Sequence, residues 1–440
     1  MSPRWKDAAT SAALSALFLV VYPSCNWITG LRPHVGNLYF AWERSIPFLP
    51  AFIIPYMSID LFFVAAPFRA RSDQERTTLA RRMAAAILIA GICFLLFPLR
   101  FAFERPHVDG PLGVIFNNFR TFDQPFNQCP SLHIALCAIL ADTYMRATKG
   151  PLRWALAVWF ALIFISPLVT YQHHAIDILG GAALAVICFH FFRNQPLLQP
   201  FTPNFRVGSY YAAGALLLSL MSVLWTPWSL LLVWPAVSLA LVAAGYLLVG
   251  PGIFRKEHGM LPHTSSMLFA PVLVGQRLSR MYYSHRCNAY DRLTQNVWIG
   301  RCLSGAEARG IRRAGITAVV DLTAEFSECS ELRALPYLQI PILDLTAPTP
   351  AQIDEAIAFI TDHANNGIVY VHCKIGYSRT ATIAGAYFLA SGQVESDEQA
   401  LTALRQARPS IITRPEALAA LAAYRARLDN SIRSAVQVDV

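Results

Sequence analysis

Charge is scarce in this chain, and paired cysteines are missing from it. Only 14% of the 440 residues are Asp, Glu, Lys or Arg, against 55% hydrophobic residues. That balance, with a mean hydropathy of +0.40, excludes a disordered or highly solvated polypeptide and points to the membrane class. The nine cysteines form no C-x-x-C pair and no metal-ligand spacing, so neither a zinc site nor a disulfide framework is expected. No segment has the pattern of a nucleic-acid module. The net charge of +9 therefore reads as cytoplasmic loops facing anionic lipid. No small-residue cleavage site follows the first apolar run, which reads as an anchor rather than a removable signal.

What is present is a series of apolar runs, each near the ~20 residues that cross a bilayer. They fall near 9–29, 46–67, 83–103, 131–147, 152–170, 174–192, 210–226 and 228–249. The expectation is an N-terminal polytopic all-α bundle of about eight spans. Lys and Arg in the short connections favour one side: Arg4, Lys6, Arg69, Arg71, Arg76, Arg81, Arg82, Arg146, Lys149, Arg153, Arg193 and Arg206 lie on it, twelve against the five opposite. By the positive-inside rule both termini are expected in the cytoplasm of a multi-pass inner-membrane protein.

The stretch VHCKIGYSRTAT, Val371 to Thr382, does not belong in lipid. GIVYVHC before it has the Ile, Val and Tyr content of a buried strand, and TATIAGAYFLA after it has helical spacing. A strand, a tight loop and a helix N-terminus aim backbone N–H groups and a positive dipole end at one point, where a phosphate would sit. The same field turns Cys373 into a thiolate, and the planar fork of Arg379 suits phosphate oxygens. Lys374, Ile375, Gly376, Tyr377 and Ser378 form the cradle between them.

This loop resembles the active site of cysteine-based protein tyrosine phosphatases, and residues 288–428 are similar to their dual-specificity branch. NVWIGRCLSG, GITAVVDLTAE, PYLQIPILDLTAPT and RPSIITRPEALAAL stand where that family's elements would. The resemblance implies an α/β domain with a central sheet flanked by helices. It implies that Cys373 attacks phosphorus, Arg379 binds the phosphoryl oxygens, Thr380 assists breakdown of phosphocysteine and His372 tunes the thiolate. Asp344 is the implied general acid, with Asp321 and Asp354 fitting worse. HCKxGxSR with a later RPxxL segment looks like the phosphatidylglycerophosphate phosphatase branch.

Two further motifs lie in the apolar part. FNQCPSLHIALC sets Pro130 and Ser131 ahead of His133, and TYQHHAIDILGG sets His173 and Asp177 one helical turn apart. Ionisable residues at span ends are costly unless used, which marks a site. Residues 10–195 resemble the type 2 phosphatidic acid phosphatase superfamily, in particular its inositol phosphorylceramide synthase-like branch. By that resemblance His173 is the nucleophile, Asp177 orients it, His133 protonates the leaving oxygen, and Arg105 and Ser131 hold phosphate. Pro98 and Pro167 stand where the family has a Lys and an Arg.

The expected organisation is a membrane domain at 1–195, two more spans at 196–250, an amphipathic interfacial linker at 251–287 and a phosphatase domain at 288–440. Neither chemistry needs a metal or cofactor. The first functional hypothesis is a bifunctional lipid enzyme whose partners are membrane lipids. The alternatives are an anchored phosphatase acting on phosphoproteins, and a lipid-sensing protein with a silent bundle; none involves nucleic acid.

Overall fold

The computed structural model describes residues 4–122, 124–193, 196–224 and 226–438. The expected domain end at 195 and Trp225, inside the expected span 210–226, lie outside the described residues. The chain divides into two compact units, Met1–Gln195 with Ser222–Leu231, and Pro196–Met221 with Leu232–Val440.

The first unit is helical. Its main helices are α1 (Arg4–Gly30), α2 (Ile53–Ala65), α3 (Asp73–Leu96), α4 (Gly110–Phe122), α5 (Leu132–Ala147), α6 (Pro151–Val169) and α7 (Ala175–Phe191). Ser72 caps α3 by accepting from the Glu75 N–H at 3.1 Å. The helix stops at Leu96, seven residues short of the expected span end at 103, because Pro98 cannot continue it. Apolar faces of α1, α3, α5 and α7 share one core, with Met83, Ile87, Ile139, Leu140 and Cys188 buried in it. Arg76 and Asp7 pair at 3.1 Å between α3 and α1, both buried.

Among the described residues, five helices are long and apolar enough to cross a membrane: Arg4–Gly30, Pro50–Arg69, Asp73–Leu96, Pro151–Val169 and Pro227–Val249. Ala175–Phe191 is apolar but shorter, and α5 has 16 residues.

The second unit begins with α8 (Phe205–Ser222); the chain re-enters it through α10 (Val233–Ala244), after the short α9 (Pro227–Leu230). A π-type turn at Gly245–Val249 and a buried 3₁₀ turn at Pro251–Phe254 follow, then α11 (His263–Leu268) and α12 (Ala270–Ser284). The rest is an α/β domain with strands β1 (Tyr290–Arg292), β2 (Val297–Arg301), β3 (Ile316–Thr323), β4 (Tyr337–Ile342) and β5 (Ile368–Cys373). They form one mixed sheet in the order β1-β2-β5-β3-β4, with β1 antiparallel and the others parallel.

Period-two alternation builds two cores on this sheet. Val369, Val371, Val320 and Leu322 face helices α15 (Pro350–Ala364), α16 (Ser378–Ala390), α17 (Asp397–Ala407) and α18 (Pro415–Val438). Tyr370, Trp298 and Val319 face the other side, toward α13 (Gly305–Arg313) and α14 (Ser330–Arg333). β5 is central, so its C-terminal end, at Cys373, opens where parallel strands and a helix N-terminus meet.

Candidate functional sites

Cys373 closes β5, and the loop turns at Gly376, whose φ of +75° is one that side chains rarely adopt. A Cβ there would also meet the Gly300 carbonyl oxygen at 2.4 Å. The Gly376 N–H points at the Cys373 sulfur, 3.3 Å away. Burial pushes the Cys373 thiol up, but the Arg379 guanidinium and the hydrogen-bonding groups of Thr380 and Ile375 outweigh it, so the thiol lies below its ordinary range. The buried Thr380 hydroxyl makes no hydrogen bond of ordinary geometry, yet it lies close enough to the sulfur to help stabilise the anion.

Arg379 sits in the first turn of α16. Glu325 grips it in bidentate fashion at 2.8 and 3.1 Å, and the Ile342 carbonyl accepts from it at 2.7 Å. Asp344 accepts from the same guanidinium at 3.1 Å and from Lys374 at 2.5 Å. Burial pushes the Asp344 carboxyl up, but the two cations outweigh it and hold it below the usual carboxylate range. Asp344 thus lies beside Cys373, Lys374 and Arg379. Asp354 lies on the exposed face of α15, paired with Arg427. Asp321 is buried and taken by Lys256, the Tyr337 hydroxyl and Thr323.

His372 points away from the pocket, 2.8 Å from Glu328. Burial pushes its pKa down, and Glu328 and Asp321 outweigh that and raise it. The ligand-capable atoms of Asp321, Glu328 and His372 lie within 4.8 Å of one another, as in a metal site. The Lys256 ammonium already donates there to Asp321, to the Thr323 carbonyl at 2.8 Å and to its hydroxyl at 2.9 Å. The cluster is an ion-pair network, which fixes the strand that ends at Cys373.

Sequence reasoning missed Glu325, Lys256 and Arg408. Arg408 is fully buried and pairs with Asp291. It donates to the carbonyls of Gly376 at 3.1 Å and Ile375 at 3.0 Å. Pulling two loop carbonyls outward turns the neighbouring N–H groups inward, toward an anion. The RPSII segment carries no local signal that its Arg is buried, since Arg and Pro are both common at the surface.

In the first unit the two histidine motifs and Arg105 lie close together. Ser131 caps α5, and its N–H donates to the Asp177 carbonyl at 2.9 Å, so the N-termini of α5 and α7 adjoin. Gly181 permits this, because a Cβ there would lie 2.4 Å from the Ser131 carbonyl oxygen. Two positive dipole ends converge there. Arg105 Nε donates to the Tyr171 carbonyl at 3.1 Å, two residues before His173. His173 is buried, its Nδ1 3.6 Å from the Asp177 carboxylate and without a hydrogen bond. His133 stacks on Tyr56 with centroids 4.3 Å apart, its Nε2 3.3 Å from the Ile163 carbonyl. Pro167, in the place of the family's Arg, accepts from the N–H groups of Gln172 and His173 at 2.9 and 3.1 Å.

Glu43 and His174 are further residues the sequence did not single out. The Ala102 N–H donates to His174 Nε2 at 3.0 Å, so that nitrogen carries no proton. His174 Nδ1–H then donates to Glu43 at 2.8 Å, and Glu43 also accepts from the N–H groups of Phe40 and Ala175. This buried carboxylate holds the HHAID turn in place.

Two family models match this chain, one over each of these regions. Residues 297–427 match the family model for the dual specificity phosphatase catalytic domain, and residues 51–191 match that for the PAP2 superfamily. Dual specificity protein phosphatase 2 of Homo sapiens is 33% identical over 156 residues, covering 33% of this chain and 49% of that protein. Phosphatidylglycerophosphatase and protein-tyrosine phosphatase 1 of Rattus norvegicus is 29% identical over 142 residues, covering 29% of this chain and 72% of that one. The active form of Tk-PTP is a solved structure at 26% identity, with a TM-score of 0.30 over 32% of this chain and 97% of its own. The chain spans about half the length or less of the first curated relatives it matches. It joins a PAP2-superfamily domain, at residues 51–191, to a dual specificity phosphatase catalytic domain, at residues 297–427.

Proposed function

We propose that this chain is a membrane-bound phosphatase with two catalytic centres. One is a cysteine-dependent phosphomonoesterase at Cys373; the other is a histidine-dependent lipid phosphatase or head-group transferase at His173. The reading includes an eight-span bundle with both termini cytoplasmic and the His173 centre on the opposite side. The convergence of Cys373, Arg379, Lys374 and Asp344 on one loop carries it.

At the cysteine centre the thiolate sulfur attacks phosphorus, the bond to the leaving oxygen breaks, and Asp344 gives that oxygen its proton. Water then attacks phosphocysteine, Asp344 takes the water's proton, and inorganic phosphate leaves. In the free protein Asp344 is held as a carboxylate by two cations. An incoming phosphate dianion competes for both cations and adds its own negative charge. Each effect raises the Asp344 pKa, so the acid gains its proton as substrate binds. At the other centre the His173 nitrogen attacks phosphorus as the bond to the leaving oxygen breaks, His133 protonates that oxygen and Asp177 orients the ring; water or a lipid hydroxyl then attacks phosphohistidine, breaking its P–N bond.

A phospholipid head group is the favoured cytoplasmic substrate, on the likeness to the Rattus norvegicus phosphatidylglycerophosphatase. The likeness to the human dual specificity protein phosphatase supports a second reading, an anchored phosphoprotein phosphatase. The purified full chain, in chelator, is expected to hydrolyse an aryl phosphate. Cys373→Ser should abolish this, and Asp344→Asn should slow poor leaving groups by about 10²–10⁴. His173→Ala should leave it intact while altering a lipid pool in cells. Aryl phosphate hydrolysis that survives Cys373→Ser sinks the cysteine centre, and an unchanged lipid profile in His173→Ala cells sinks the second.

A further inference from the structure

Helix α12 has two unlike sides. Gln276, Ser279, Arg280 and Tyr283 recur at helical spacing and face the catalytic domain. Gln276 Oε1 accepts from the Lys374 ammonium at 2.8 Å, and the Ser279 hydroxyl lies 3.4 Å from it. Arg280 lies over Phe326, and the Tyr283 ring packs edge-on toward Tyr377 of the catalytic loop. The opposite side carries Val274, Leu278, Met281 and Tyr282, each more than half exposed, together with the exposed Arg277. Exposed Arg286, just past the helix, stacks on Tyr282 at 4.4 Å.

The exposed stripe is continuous with an apolar surface that needs lipid. Helix α12 packs against α10, and the Trp234 indole N–H donates to the Met267 carbonyl at 3.1 Å. Helix α10 belongs to Pro227–Val249, one of the helices apolar and long enough to cross a membrane. Lipid that covers α10 therefore reaches α12. The helix is 15 residues long, roughly 22 Å at 1.5 Å per residue, and its inner side ends at the nucleophile's loop. Gln276 also donates to the Tyr211 hydroxyl at 3.3 Å, Tyr211 stacks on Tyr246, and the Tyr246 hydroxyl donates to the Asp344 carbonyl at 2.8 Å. A chain of side-chain contacts thus joins α12 through Tyr211 and Tyr246 to Asp344.

From this we infer that α12 seats its Val274–Leu278–Met281–Tyr282 stripe in an anionic bilayer and presents lipid phosphomonoesters to Cys373 without their leaving the membrane. Arg277 and Arg286 supply attraction to acidic head groups, and Tyr282 suits the interfacial depth. Gln276 and Ser279 are the groups a head group meets as its phosphate displaces them from Lys374. This rests on the phosphomonoesterase reading of the Cys373 loop.

The test uses the full chain in nanodiscs of phosphatidylcholine and phosphatidylglycerol, with two substrates, phosphatidylglycerophosphate in the bilayer and p-nitrophenyl phosphate in solution. Leu278→Glu with Met281→Glu should slow the lipid reaction by roughly tenfold or more and leave the soluble reaction unchanged. A photo-crosslinking amino acid introduced at Leu278 should label lipid. An unchanged lipid rate, an equal loss with both substrates, or labelling of protein alone would overturn the inference. If the unsubstituted chain hydrolyses neither substrate, the phosphatase reading fails, and the crosslink still decides whether α12 lies in lipid.

Discussion

Arg408→Lys is the most informative single change, because it keeps the buried charge and removes the geometry. The guanidinium reaches three carbonyls, those of Gly376, Ile375 and Asn288, at 3.0 to 3.1 Å, and it pairs with Asp291. An ammonium donates from one atom and cannot span the Gly376 and Ile375 carbonyls while holding Asp291. At least two charge-assisted hydrogen bonds are lost, each worth about 1.5–3 kcal/mol, so the catalytic unit should lose about 3–6 kcal/mol of stability. The freed carbonyls let the loop N–H groups turn away from the phosphate position. Losing one such bond to an anion should raise the inhibition constant for vanadate by roughly tenfold to a hundredfold. The assay is vanadate inhibition of aryl phosphate hydrolysis by the full chain, beside denaturant unfolding. A variant with lower stability but unaltered vanadate affinity would show that Arg408 braces the fold and not the anion cradle, and would refute the reasoning.

Two further outcomes can be measured. Lys256→Met leaves Asp321 buried without its cation, so urea unfolding of the catalytic unit should shift by about 3–5 kcal/mol, with Lys256→Arg recovering part of it; equal stability of the Met variant would remove the network from the account. Reporters fused at the C-terminus and after Arg206 should both read cytoplasmic and one near Asp109 external, and an external signal at the C-terminus would break the eight-span reading.

Much of both sites was legible because the chemistry is local in sequence. Cys373 to Arg379 is one strand end, loop and helix start, so spacing alone brings the candidate thiolate and cation together. Asp344 was within reach as well, and the competing acids were harder to exclude. Asp354 sits on an exposed helix face, whereas Asp321 is consumed by Lys256, a partner 65 residues away. Nothing in the local pattern of PGIFRKE announces that its lysine is buried against β3. The expected interfacial segment at 251–287 contains both this buried anchor and the two-faced α12, which share no periodicity.

The histidine motifs show the same division. Ser131, His133, His173 and Asp177 could be picked out from the cost of polar groups at span ends. That the α5 and α7 N-termini adjoin depends on a backbone contact made possible by Gly181, fifty residues from Ser131. The sequence by itself determined the run of apolar helices, the strand, loop and helix start around Cys373, and the candidate polar residues at the ends of the apolar runs, since these follow from composition, period and short-range spacing. Only the tertiary structure decided which buried polar and charged groups satisfy one another. Glu325 on Arg379, Glu43 on His174, Lys256 on Asp321 and Arg408 on the loop carbonyls are long-range pairs. A buried charge takes whichever partner the fold brings within about 3 Å, and chain separation carries no information about that choice.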